Sequence, residues 1–176
     1  VKQIDLRDKI GYVPQKGMLF SGTVESNLRY ADENASEEII RNAAAVAQAT
    51  EFISAMPEKM QSEIAQGGMN VSGGQRQRLA IARALVKAPP IYIFDDSFSA
   101  VDYKTDTALR KALKKSTGGS TVLIVAQRIS TIKNAEQIVV LDDGKVVGKG
   151  THEQLMKNCK TYQEIALSQL NKEELA

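Results

Sequence analysis

The sequence has one cysteine, one histidine, a net charge of only +2 and no long apolar run. A single thiol, Cys159, cannot build an internal disulfide framework and suits a reducing compartment. The small charge gives no electrostatic reason to expect nucleic acid or a membrane surface as partner. A spanning helix needs about 20 apolar residues, and the longest candidates, residues 91–94 and 122–126, are strand-sized. If the protein works at a membrane, other residues supply the spans. No secretory signal is visible, and a start at Val1 rather than Met suggests a fragment. His152, the sole histidine, lies at a helix start, where first-turn polarity accounts for it. There are no repeats and no low-complexity segment.

What is present is ordinary for one globular domain, 43% hydrophobic and 25% charged over 176 residues. Residues 10–14 read as a short strand ended by proline, 17–22 as a connector, and 23–28 as a helix capped by Thr23. A longer helix is expected over 36–49, capped by Ser36, with Ile39, Ala43, Val46 and Ala47 on its apolar face. Residues 66–68 and 72–74 read as loops, and 75–87 as a helix stopped by Pro89-Pro90. The continuously apolar segments 91–94 and 121–126 read as strands buried on both faces, separated by a helix over 105–115. Asp143-Gly144 marks a hairpin, Thr151-x-x-Gln154 a capping box, and 162–170 a terminal helix. Strand–helix–strand with apolar strands favours a parallel sheet covered by helices.

Two segments carry chemistry. In Ser72-Gly73-Gly74-Gln75, two glycines let a backbone approach a ligand closely, and the N–H groups of the following helix start favour an anion. The Ser72 hydroxyl could donate to a phosphate oxygen; a plain Ser-capped helix start reads equally well. Further on, an apolar strand ends in Asp95-Asp96. One carboxylate there could hold Mg²⁺ and the next could orient or deprotonate water, or the pair could form a solvated acidic turn. The glycine-opened helix shortly before it favours the phosphate reading.

With these residues in view the chain resembles the ABC ATPases. Ser72 to Leu85 is similar to their signature motif, Asp95-Asp96 to Walker B, and Ser97 to Asp102 to the D-loop. Gly11-Tyr12-Val13-Pro14-Gln15 resembles the Q-loop, and residues 19–28 its exporter-type continuation, which in that family meets coupling helices of the membrane domain. Residues 62–68 loosely resemble the exporter X-loop, 125–132 the switch region, and 144–155 the terminal hairpin and helix. The resemblance covers nearly the whole chain. It implies an α/β P-loop NTPase (RecA-like) fold with a parallel sheet and an ABC helical subdomain. About 16–88 would be the signature-bearing subdomain, and 1–15 with 89–176 the core, hairpin and C-terminal helices.

By the same resemblance ATP and Mg²⁺ are the expected ligands. Asp95 and Gln15 would serve the metal. Asp96, Gln127 and Gln15 would serve hydrolysis, and Ser72, Gly73, Gly74, Gln75 and Asp102 the nucleotide. The partners would be a second nucleotide-binding domain and the transmembrane domain, at the cytoplasmic face of the cell membrane. Three departures stand out. No Gly-x-x-x-x-Gly-Lys-Ser/Thr occurs. The P-loop strand is therefore expected to lie upstream, and the isolated chain to bind ATP poorly, to hydrolyse none and to self-associate through exposed sheet edges. Asp96 stands where the family has glutamate, and a base must reach its water within about 2.6–3.2 Å. Gln127 stands at the switch histidine and cannot carry positive charge. Together the substitutions at Asp96 and Gln127 resemble the slow-site subunit of a heterodimeric exporter, whose intact signature completes the partner's site. A non-transport ABC-type ATPase, or a non-catalytic interaction fragment, are the alternatives.

Overall fold

The computed structural model describes residues 2–173, with side chains through Gln169. It divides into two compact units, one ending at Val125 and the other beginning at Ala126. No helix among the described residues is long and apolar enough to cross a membrane.

The first unit runs α1 (Gln3–Asp8), β1 (Ile10–Val13), β2 (Gly22–Thr23), α2 (Val24–Arg29), α3 (Glu37–Val46), α4 (Thr50–Ala55), β3 (Glu63–Ile64), α5 (Gly73–Val86), β4 (Ile91–Asp95), α6 (Tyr103–Ser116) and β5 (Thr121–Val125). β1, β4 and β5 form a parallel sheet in that order, with Val13 paired to Phe94 and Phe94 to Ile124. β4 is thus the middle strand, as its apolar sequence leads one to expect. β2 and β3 pair over only two residues each. The core gathers Val13, Leu28, Leu79, Ile81, Phe94 and Leu109, all buried.

Four readings of the sequence change here. The glycines at 73 and 74 are not in a loop: Ser72 already caps α5, so they form its first turn. The expected helix over 36–49 is split. α3 ends at Val46, Gln48 turns through a left-handed φ of 56°, and α4 follows. The buried face of α3 is Ile40, Ala43 and Ala44, while Ile39 is 45% exposed. Both sets satisfy helical spacing, and packing against α5 selects between them. Lastly, β5 is not buried on both faces. Among the described residues its one strand neighbour is β4, and Val122, Leu123 and Val125 are exposed. α1, which carries no buried residue, had no sequence signal.

The second unit holds α7 (Ile129–Ile132), β6 (Ile138–Asp142), β7 (Lys145–Gly150), α8 (His152–Asn158) and α9 (Lys160–Glu173). The β6–β7 hairpin turns at Asp143 (φ 45°) and Gly144 (φ 74°), the left-handed pair that a two-residue turn requires. Thr151 and Gln154 form the expected capping box of α8. Ile138, Val140, Leu155, Cys159 and Tyr162 make a small separate core. His152 Nδ1 lies 2.8 Å from the Tyr162 hydroxyl.

Candidate functional site

β4 ends at the C-terminal edge of the sheet, where open α/β sheets bind their ligands. There the chain leaves the sheet through Asp96, whose φ is 43°. Aspartate enters this left-handed region at lower cost than most residues, because its short side chain bonds locally. The turn presents two half-buried carboxylates side by side. Each is met by a donor from the end of β1 or just beyond it. The Tyr12 hydroxyl donates to Asp95 Oδ2 at 3.0 Å, and Gln15 Nε2 donates to Asp96 Oδ2 at 3.1 Å. Beneath them buried Ser97 donates from Oγ to the Val13 carbonyl at 2.9 Å, tying the two strand ends together. The bond to Asp95 pushes the Tyr12 phenol above its ordinary range, with smaller contributions from desolvation and from the Asp95 charge.

The second cluster is the start of α5. Ser72 Oγ accepts from Gln75 N at 3.2 Å, and Gln75 Oε1 accepts from Ser72 N at 2.9 Å. This reciprocal box leaves the N–H groups of Gly73 and Gly74 outside it, and the Ser72 hydroxyl proton still to be donated. The two glycines differ. A Cβ on Gly73 would meet nothing within 4 Å, whereas one on Gly74 would lie 3.0 Å from the Ala100 carbonyl oxygen. Gly73 faces open space, and Gly74 lets the loop after β4 close on the helix. Asp102 ends that loop. Its carboxylate accepts from Thr105 N at 3.0 Å as the cap of α6, which holds it below the usual carboxylate range.

Sequence reasoning missed three residues that connect these parts. Gln77 is 2% exposed; its Oε1 accepts from Gly17 N at 2.8 Å and its Nε2 donates to the Pro14 carbonyl at 3.1 Å. It thereby fastens α5 to the segment that carries Gln15. Its position four residues before buried Ile81 was a usable helical signal. Arg78 donates from Nη1 to the Gln48 carbonyl at 2.6 Å and from Nε to the Gly74 carbonyl at 3.3 Å, with its guanidinium over the Phe52 ring. Tyr12 is the third.

The structure therefore brings Gln15, Asp95 and Asp96 together, and Ser72, Gly73, Gly74 and Gln75 together. Gln127 belongs to the second unit, where its carbonyl accepts from Gln169 Nε2 at 2.6 Å. The cavity lined by Gln48, Glu51, Arg78 and Thr105 includes neither Gly73 nor Asp95, and nor does the one lined by Lys133, Thr151 and His152. No group of three or more acidic, cysteine or histidine side chains able to cage a metal occurs among the described residues. The donor set fits Mg²⁺ all the same. That ion is commonly held by one or two carboxylates together with substrate phosphates and water. Asp95 and Gln15 would hold it, since Nε2 of Gln15 is engaged by Asp96 and leaves Oε1 as the coordinating end.

A parallel sheet with paired carboxylates at the tip of its middle strand, fastened to a helix opened by Ser-Gly-Gly-Gln, defines a domain of the nucleotide-binding α/β class. The chain belongs to the ABC transporter family, whose model matches residues 2–99. It is 50% identical to an ABC transporter ATP-binding protein of Mycobacterium tuberculosis over 91% of this chain and 28% of that protein. It is 41% identical to the ATP-dependent lipid A-core flippase of Photobacterium profundum over 92% of this chain and 28% of that protein. Its fold matches a bacterial Atm1-family ABC exporter solved with ATP bound, with a TM-score of 0.90 and 36% identity, covering 94% of this chain and 29% of that one. The chain spans less than a third of the length of these relatives.

Proposed function

We propose that this chain is an ATP-binding, energy-coupling module of an ABC exporter, acting at the cytoplasmic face of the cell membrane with ATP and Mg²⁺. The names of its relatives and the ATP-bound exporter of the same fold support this reading. In it the chain contributes to two shared pockets. Ser72–Gln75 complete the ATP site of a second nucleotide-binding domain. Asp95, Asp96, Gln15 and Gln127 belong to its own, slow site, with Asp102 between the two. The segment after Gln15 meets the coupling helices of a transmembrane domain.

The observation that carries the slow-site reading is the Gln15–Asp96 bond of 3.1 Å beside Asp95. The short aspartate arm is engaged by the glutamine amide at the position where the family has a longer glutamate. Loss of general-base catalysis costs about 10²–10⁴ in rate. Neutral Gln127 stabilises transition-state charge less than a protonated histidine. The sequence contains no Gly-x-x-x-x-Gly-Lys-Ser/Thr, so the chain in isolation binds ATP poorly and hydrolyses none. The test is the intact heterodimer carrying Asp96→Glu and Gln127→His. The expected result is hydrolysis gained at the second site; no gain counts against the slow-site assignment.

A further inference from the structure

Tyr12 is a residue the proposed function does not use. It pairs in register with Ile93, so strand alternation sets it on the same face of the sheet as Ile93 and Asp95. Its ring is 55% exposed and its burial contributes little to the core. Yet its hydroxyl lies 3.0 Å from Asp95 Oδ2, while Oδ1 of the same carboxylate bonds to nothing among the described residues. The strand ends cannot drift apart easily, because the buried Ser97–Val13 bond closes the gap beneath.

We infer that Tyr12 is a positioning residue of the divalent-cation site: its hydroxyl fixes one oxygen of Asp95 and so aims the other at the cation that accompanies the nucleotide. The inference rests on the nucleotide-binding reading above. A lysine or arginine at this place would pair with Asp95 and compete with the cation. A phenol gives one hydrogen bond and no charge, so the carboxylate is oriented and keeps its charge. Asp96 is met by Gln15 instead, so Tyr12 acts on Asp95 alone.

Tyr12→Phe removes the hydroxyl and leaves the ring. In the intact transporter containing this chain, labelling of this subunit by 8-azido-ATP is measured against Mg²⁺ concentration, with an EDTA series as reference. The Mg²⁺ midpoint should rise about tenfold, the lower end for loss of an outer partner of a metal ligand. Labelling in EDTA should not change. On an Asp95→Asn background, Tyr12→Phe should add nothing, as expected of two groups acting through one contact. A midpoint unchanged from the unmutated protein overturns the inference, as does an equal loss on the Asp95→Asn background. If the unmutated subunit shows no Mg²⁺-promoted labelling at all, the nucleotide-binding reading fails and this inference with it.

Discussion

The two signature glycines offer a test in which one atom separates a ligand-facing position from a packing position. Adding a methyl to Gly74 puts Cβ 3.0 Å from the Ala100 carbonyl oxygen, inside ordinary contact. That oxygen cannot retreat freely. Its loop is closed by the Val101 N–H to Phe98 carbonyl bond of 3.2 Å, by buried Phe98 against Phe94, and by the Asp102 cap. Overpacking of this kind costs about 1–3 kcal/mol. The loss of glycine's freedom in the unfolded chain offsets about 0.4–1 kcal/mol of it. Gly73→Ala meets nothing within 4 Å and keeps the second effect without the first. Gly74→Ala should therefore destabilise by about 0.5–2 kcal/mol and Gly73→Ala should stabilise by about 0.5 kcal/mol. Urea midpoints at equal slope measure the difference. If the proposed function holds, Gly73→Ala should nonetheless lower turnover in the intact assembly, because its methyl would stand where a partner's nucleotide approaches. The reasoning is refuted if Gly74→Ala is as stable as Gly73→Ala, or if Gly73→Ala keeps full turnover.

Other consequences follow from the same contacts. Gln77→Leu strands the Gly17 N–H and the Pro14 carbonyl, and should cost about 2–6 kcal/mol in denaturant unfolding at about 1–3 kcal/mol per orphaned group; a loss no larger than that of a surface substitution would deny the link. Asp102 has a folded pKa held below its ordinary 3.8 by the Thr105 N–H. Its contribution is therefore complete above the unfolded value and fades as pH falls through the folded one. The stability gap between the wild type and Asp102→Asn should thus close in acid, and a gap independent of pH would contradict the assignment. The exposed β5 residues Leu123 and Val125 should make the isolated chain self-associate, and lysine at both should weaken that association. Sedimentation at micromolar concentration decides it, and a clean monomer of the unmodified chain is the contrary result.

Local signals in the sequence were legible where one residue decides the outcome. Thr23, Ser36 and Thr151 each cap the helix they were read to cap, and Asp143-Gly144 turns the hairpin. Asp95 and Asp96 stand at a strand tip because the apolar run before them is a sheet's middle strand. What was not legible depends on distant partners. The pairing of β1 with β4 joins segments separated by the whole helical layer, and β2–β3 is too short to leave a pattern. The face of α3 was ambiguous because alanines occupy both candidate stripes and only contact with α5 chooses. Tyr12 and Gln77 looked like ordinary strand and helix residues until the fold placed Asp95 and Gly17 beside them.

The central claim is that the chain's two polar clusters serve different nucleotides, one of them a partner's. ATP turnover of the purified intact transporter tests it with two single substitutions. Gly73→Asp, which places a carboxylate where a partner's phosphates approach, should abolish turnover, while Asp96→Asn should leave most of it intact. Loss with Asp96→Asn and retention with Gly73→Asp would contradict the account.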